Sequence, residues 1–289
     1  MFSSSGTAIM RAMESKRFSL AILACVIIVV ILYKHLTNEP NSEMDSQTKS
    51  TKMTLNELSG REEFDELLLA YARDVMIEPS SRDVPYFLDG TNNKDHSGLN
   101  YTQIFTTLLK NKTNGFFVDC GSFDGEHGSV SMSFEADHNW SGLLVDASPM
   151  SLQKILLKSR KAWFAPTCMS PERKSMMVSF EEQGMQSHIT KDEKKATGPV
   201  VRSLCLPFHT LMKALGVSKV DLFNLDVEGN ELPILKTIDF NLVQIDAMTI
   251  EHYNNNENDR NEIKRIMQEN GFKFLGQNGF DFMFIHSRV

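Results

Sequence analysis

Hydrophobic and polar positions divide the chain into an apolar run, a short polar stretch and a long region in which apolar blocks recur. Phe18 to Tyr33 reads FSLAILACVIIVVILY, uncharged and rich in Ile, Val and Leu. About 20 apolar residues cross a bilayer and about 17 is the lower limit. The segment therefore predicts a transmembrane signal-anchor over 18–36, slightly short, as suits the thinner membranes of the early secretory pathway. The alternative is a cleaved signal peptide, which needs small residues after its apolar core. Tyr33, Lys34, His35 and Leu36 stand there instead. Arg11, Lys16 and Arg17 precede the run, while Lys34, Lys49 and Lys52 follow it. The positive-inside rule thus leans only weakly toward a cytoplasmic tail at 1–17. Residues 37–53 lack apolar periodicity and read as a polar stem.

Beyond the stem, Thr54 and Glu57 have capping-box spacing, and Leu58, Phe64, Leu67, Leu68, Tyr71 and Val75 recur at helical intervals. One helix is predicted over 54–75, followed by loop to about 98, so that 54–97 form a helical and loop lead-in. A domain over 98–289 then alternates. Helices near 101–110, 128–137, 149–160, 207–215, 231–238 and 257–270 intervene between strands. The strands fall at Phe116–Cys120, Gly142–Ala147, Ala162–Cys168, Val220–Val227 and Ala247–Tyr253. Two further β-like pieces, Met176–Phe180 and Val200–Leu206, flank a polar stretch whose run Lys191 to Lys195 reads as a solvated loop. Phe272–Leu275 and Phe280–His286 close the chain as a hairpin. Alternating strands and helices predict an α/β, doubly wound, mostly parallel sheet with a terminal antiparallel hairpin.

Composition narrows the function classes. Hydrophobic residues make up 41% and charged residues 23%, ordinary for a folded protein. The net charge is −7 and no basic block stands out in the domain, which argues against nucleic acid as a partner. No C-x-x-C pair occurs, and no His/Cys/Asp cluster has zinc spacing, so no metal is expected. Cys168 and Cys205 either pair in an oxidising lumen or remain free thiols. N-x-S/T sequons at Asn100, Asn111 and Asn139 suit a lumenal domain. A chain this rich in Asn, Ser and Thr also yields such triplets by chance.

Candidate chemistry gathers where predicted strands end. Phe116 to Gly125 reads FFVDCGSFDG: a buried strand, then an acidic residue, then Gly-x-x-x-Gly. Open parallel sheets bind ligands at the carboxyl ends of their strands. Glycines there let the backbone approach a ligand. Asp119 and Asp124 would repel a pyrophosphate and suit a cationic ligand. Asp146 ends the second strand, where an acidic residue accepts bonds from ribose hydroxyls; equally, it caps the helix that begins near Pro149. Asp226 and Glu228 end VDLFNLDVEG on one face by period two. Paired carboxylates beside a cleft share proton duties or hold a hydroxyl or amine. Glu231 reads as charge at a helix N-terminus, a reading that also competes for Glu228. Glu251 and His252, at the end of another strand, are weaker candidates.

Five blocks in order, VDCGSFDG, WSGLLVDASP, RKAWFAPTCMS, VDLFNLDVEGNE and TIEHY, resemble the FkbM-type methyltransferase family, in particular its animal branch related to the insect protein Star. The resemblance covers roughly 98–286. It implies a Rossmann-like methyltransferase fold, with S-adenosyl-L-methionine bound near Asp119, Gly121, Gly125 and Asp146. Transfer of a methyl group to an oxygen is also implied, with Asp226 and Glu228 as catalytic candidates. The chain departs from the pattern with Asp119 and Asp146 where relatives often carry Glu, and with D-A-S-P where many carry E-P-x-P. These changes leave the acceptor open. The Star-like branch implies an alternative: a non-catalytic factor that helps membrane-bound growth-factor precursors through the secretory pathway. On either reading the expected partners are the lipid bilayer, through the N-terminal helix, and an acceptor or a membrane-bound cargo protein. The expected location is endoplasmic reticulum, Golgi or endosomal membranes with the domain in the lumen.

Overall fold

The computed structural model describes residues 54–90 and 95–289. The expected tail, span and stem over 1–53 lie outside the described residues. Among the described residues, no helix is long and apolar enough to cross a membrane.

The lead-in departs from the single helix expected over 54–75. Thr54 and Glu57 do form a capping box, but helix α1 covers only Leu55–Leu58 and helix α2 covers Glu66–Val75. Between them Gly60 takes φ +85° and donates its N–H to the Ser175 carbonyl at 2.7 Å, which turns the chain away. A fresh start is specified at Asp65, whose carboxylate accepts from the N–H groups of Leu67 and Leu68.

The alternating region follows the expected order. Helix α3 (Tyr101–Leu108) leads to β1 (Phe116–Cys120), α4 (Met132–His138), β2 (Ser141–Val145), α5 (Pro149–Lys158) and β3 (Trp163–Ala165). After an insertion come α6 (Phe208–Leu215), β7 (Lys219–Leu225), α7 (Glu231–Leu235), β8 (Gln244–Glu251), α8 (Glu257–Glu269), β9 (Phe272–Asn278) and β10 (Asp281–His286). These strands make a seven-stranded sheet in the order β3-β2-β1-β7-β8-β10-β9. The pairs from β3 to β8 are parallel, and β10 runs antiparallel to both β8 and β9. The fold is therefore a mixed α/β, mostly parallel sheet closed by a hairpin, the arrangement of methyltransferase-like domains. Its strand order reverses between β1 and β7, and such a switch point opens a crevice at the strands' carboxyl ends.

Period-two alternation explains why both faces are covered. Val118, Cys120, Phe223, Leu225, Met248 and Ile250 face one core, packed by α2, α6, α7 and α8. Phe117, Leu144, Leu222 and Ala247 face the other, packed by α3, α4 and α5.

The insertion between β3 and α6 forms its own antiparallel sheet from β4 (Met176–Glu181), β5 (His188–Thr190) and β6 (Val200–Cys205), in the order β5-β4-β6. The polar stretch between β4 and β6 also holds β5, which was not expected, paired through Ile189 to Phe180; the run Lys191 to Lys195 lies outside any strand. Cys168, in the loop after β3, is disulfide-bonded to Cys205 at the end of β6. Of the two states open to these cysteines, the structure has the bonded one. Cys120 is free and buried.

Candidate active site

Strand ends converge on one cleft. Gly121 follows β1, Asp146 follows β2, and Asp226 and Glu228 follow β7; all four line it. Thr167 and Cys168, just past β3, line it as well. The opposite wall belongs to the inserted sheet, through Phe180, Met185 and Ile189. The cleft thus has an acidic side made by parallel strands and an apolar side made by the insertion.

Gly121 is required by backbone proximity. It takes φ +86°, and a Cβ there would overlap the carbonyl oxygen of Asp226. The two strand ends are also tied by the Asp226 N–H, which donates to the Cys120 carbonyl at 3.0 Å. The turn after β1 and the turn after β7 therefore touch directly.

Asp119 and Gly125 are not among the residues that line the cleft. Asp119 is buried in the sheet, where its carboxylate accepts from Ser131 Oγ at 2.6 Å, Ser129 Oγ at 3.1 Å and Asn224 Nδ2 at 3.0 Å. Asn224 Oδ1 in turn accepts from Thr249 Oγ1 at 2.6 Å. Asp119, Asn224 and Thr249 are in register across β1, β7 and β8, so a polar chain crosses the sheet just behind the cleft. Gly125 takes φ +77° at the end of the turn, and its carbonyl accepts from Arg160. The Arg160 guanidinium also reaches Ser131 and pairs with the buried Glu135 at 3.0 Å. The buried Arg160–Glu135 pair thus supports the turn from beneath.

Asp146 lies at the cleft, but it is not the cap of the helix that follows. Its Oδ1 accepts from the Ser148 N–H at 2.9 Å, ordering the start of α5, and its Oδ2 accepts from the Phe123 N–H at 2.8 Å. Ser148, not Asp146, is the helix N-cap. With Ser148, Phe123 and Ser151 engaged, one of the four lone-pair positions of the carboxylate remains for a ligand. Burial pushes its pKa up to about 6, against which the bonds from Ser148, Ser151 and Phe123 act. Phe123 itself sits at φ +48°, uncommon for a bulky residue.

Beyond β7 the carboxylates crowd. Glu231 is buried, and its oxygens accept from the N–H groups of Val227 and Gly229 and from Asn255. It fixes the turn that begins α7, as its position predicts. That turn places Glu228 at φ +58°, with its carboxylate accepting from Asn254 Nδ2 at 2.9 Å. Asp226 is pushed well above the usual carboxylate range by burial, then by Asp281, Glu228 and Glu231. Glu251, the last residue of β8, is pushed up by burial and by Asp226. It belongs with the stronger candidates after all. Asp226 and Glu251 end adjacent parallel strands, a neighbourhood the strand pattern implies only once sheet order is known. His252 is buried against the Phe282 ring at 4.0 Å and has no hydrogen-bond partner for either nitrogen.

A second cleft adjoins the first. His188, Lys191, Asp192 and Lys195 of the inserted sheet line it, together with Glu228, Gly229 and Asn230. Glu228 lines both clefts. The charged run read as a solvated loop therefore borders a candidate site. Nothing in its composition distinguishes it from ordinary surface, and the apolar wall of Phe180, Met185 and Ile189 carries no motif.

Comparison with known proteins bears on this geometry. A family model described as the methyltransferase FkbM domain matches residues 119–274. Among solved structures, a TehB-like SAM-dependent methyltransferase from Corynebacterium glutamicum ATCC 13032 is similar at 10% sequence identity, over 66% of this chain and 96% of that one, with a TM-score of 0.31. A comparison with curated proteins found no match.

Proposed function

Because the chain belongs to the FkbM methyltransferase family, we propose that its first cleft binds S-adenosyl-L-methionine and that a methyl group passes to an acceptor hydroxyl held in the second. The carrying observation is the position of Glu228, on the wall of both clefts beside Asp226. The donor set fits the cofactor. Asp146 has acceptor capacity left for ribose hydroxyls. Phe180, Met185 and Ile189 offer an apolar surface for a purine. Asp226 places a carboxyl group where an ammonium or sulfonium would sit, and a cation there favours its charged form.

When bound, S-adenosyl-L-methionine supplies a methyl group on a positively charged sulfur, open to in-line attack by oxygen. The residues then have three tasks. Asp146 and the apolar wall hold the nucleoside, and positioning of this kind supplies much of the rate. Glu228, fixed by Asn254, orients the acceptor hydroxyl from the second cleft. Asp226 or Glu228 would accept the proton that the acceptor hydroxyl gives up, while the donor's carbon–sulfur bond breaks and the neutral thioether leaves. Isothermal titration of the full chain with S-adenosyl-L-methionine tests the reading. We expect saturable binding, weakened about tenfold in Asp146→Asn. Absence of binding by a folded wild-type chain would remove the enzyme and favour a non-catalytic cargo factor.

The same proposal places the domain in the lumen of the secretory pathway, tethered by the apolar run Phe18 to Tyr33. Two features support it. Disulfides persist in oxidising compartments, and Cys168 is bonded to Cys205. The sequon asparagines Asn100, Asn111 and Asn139 are all exposed. A mobility shift on glycosidase treatment of the expressed chain, lost when the three are changed to Gln, is the expected outcome. Unmodified protein in the cytosol would overturn the placement.

A further inference from the structure

We propose that Asp226, Glu228 and Glu251 form a binding site for a hard divalent cation beside the donor cleft. Each offers a carboxylate oxygen, and the three oxygens lie within 4.8 Å of one another. That spacing matches oxygens gathered around a single Mg²⁺, Mn²⁺ or Ca²⁺, whose bonds run about 2.0–2.6 Å.

A second observation is independent of the clustering. Glu251 is only 6% exposed, and its Oε2 has no hydrogen-bond partner. A buried carboxylate oxygen without a donor is costly. Nearby acids do not share this condition: Glu231 is occupied by backbone N–H groups, and Asp281 accepts from Tyr101 at 2.6 Å. Among the described residues no lysine or arginine forms an ion pair with any of the three carboxylates. Three like charges at this separation repel one another, most strongly where water is excluded. A divalent cation supplies the positive charge that the fold omits.

The sequence builds the site from topology. Asp226 lies one residue past β7 and Glu251 ends β8, and Leu225 pairs with Ile250 in the parallel register. The left-handed backbone of Glu228 folds its carboxylate back toward them. Strain at such a position is characteristic of functional sites. The donor set is all oxygen, with no thiolate or imidazole, which selects Mg²⁺, Mn²⁺ or Ca²⁺ over Zn²⁺ or Cu²⁺. Asp226 and Glu228 also line the donor cleft, and Glu228 the second cleft. Resting on the methyl-transfer reading, the cation then selects an acceptor with two adjacent oxygens, which it would hold together.

The test uses the full chain in detergent, stripped with EDTA and titrated with Mn²⁺, with free ion followed by electron paramagnetic resonance. We expect one saturable Mn²⁺ per chain, displaced by Mg²⁺ or Ca²⁺ and weakened at least tenfold by Glu251→Gln. Glu228→Gln, at a more exposed position, gives the same loss should the first variant fold poorly. In EDTA at pH 7, Glu251→Gln melts higher than wild type, because the cost of burying a carboxyl whose proton affinity rises on folding is gone; saturating Mn²⁺ reverses that order. No saturable Mn²⁺, or binding indifferent to both substitutions, overturns the inference. Binding of S-adenosyl-L-methionine without Mn²⁺ binding would sink the cation site alone, and the converse would sink methyl transfer alone.

Discussion

The two sheets meet at the cleft by different physical means. The seven-stranded sheet brings acidic groups on strand ends that hydrogen bonds and close backbone contact hold in place. The three-stranded insertion brings apolar side chains on short strands, anchored by a disulfide and by Ser148 Oγ donating to Glu182 at 2.7 Å. The first therefore sets where charge sits. The second supplies the apolar wall that faces it. Damage to the first is expected to unfold the domain, and damage to the second to loosen the cleft while the main sheet survives.

The largest effect belongs to Gly121→Ala. The added methyl group overlaps the Asp226 carbonyl and must also accept φ +86°. Overpacking costs about 1–3 kcal/mol and backbone strain a further 1–3 kcal/mol or so. A loss of about 2–6 kcal/mol is expected in urea denaturation, with S-adenosyl-L-methionine binding lost as well. A near-neutral result would mean that the β1 and β7 turns are not in contact, and the contrast between the sheets would fail. Next comes the pair Cys168→Ser and Cys205→Ser. The bond closes a separation of 37 residues, for which chain entropy gives about 3–4 kcal/mol. Hydrogen exchange is the sharper measurement here. Protection should fall across β4 to β6 and hold in β1, β7 and β8. Uniform loss would show that the insertion is not a separate unit.

The asymmetry between the sheets also explains what the sequence reveals. Strands such as Phe116–Cys120 are buried on both faces and read as continuous apolar runs. Their order in the chain, together with Gly121 and the terminal Asp146 and Asp226, carries the cleft's acidic side. Asp119 shows the limit of that reasoning. An acid near the end of a strand points either into the crevice or into the sheet, and its partners Ser129, Ser131 and Asn224 are spread too far along the chain to reveal which. Gly125 is similar, serving Arg160 instead of a ligand. The inserted sheet is harder still. Its β5 strand has only three residues, HIT, all partly exposed. No period can be read from so short a piece, and its strand character comes from pairing with β4.

A smaller effect separates support from contact. Asp119→Ala leaves Ser129, Ser131 and Asn224 short of an acceptor in a buried site, which costs about 1–3 kcal/mol. Asp119→Asn retains one oxygen for Asn224, and the serine hydroxyls can rotate to meet its amide, so most of that stability should return. Denaturation curves for both variants, set beside cofactor titrations, decide the role. Should Asp119→Asn fold like wild type yet lose S-adenosyl-L-methionine, Asp119 would act in the cleft and not behind it.

The smallest effect is the pH dependence at Asp146, where stability and binding run in opposite directions. Burial raises this carboxyl from 3.8 to about 6. Between about pH 4 and 6 the native state keeps a proton that the unfolded chain has released, so the native state is favoured by holding it. That contribution is complete below about pH 4 and disappears as pH rises through about 6. Asp146→Asn imitates the neutral form and removes this slope. It also leaves one oxygen for the two N–H groups of Phe123 and Ser148, an offset of about 1 kcal/mol. A net gain is therefore expected at pH 7, with a flatter profile from pH 4 to 7 in urea midpoints. Cofactor affinity should move the other way: the ionised carboxylate is the better acceptor for ribose hydroxyls, so wild-type binding strengthens through about pH 6 while the variant's does not. Matching slopes in the two proteins would take Asp146 out of the ribose site and leave it as part of the frame that starts α5.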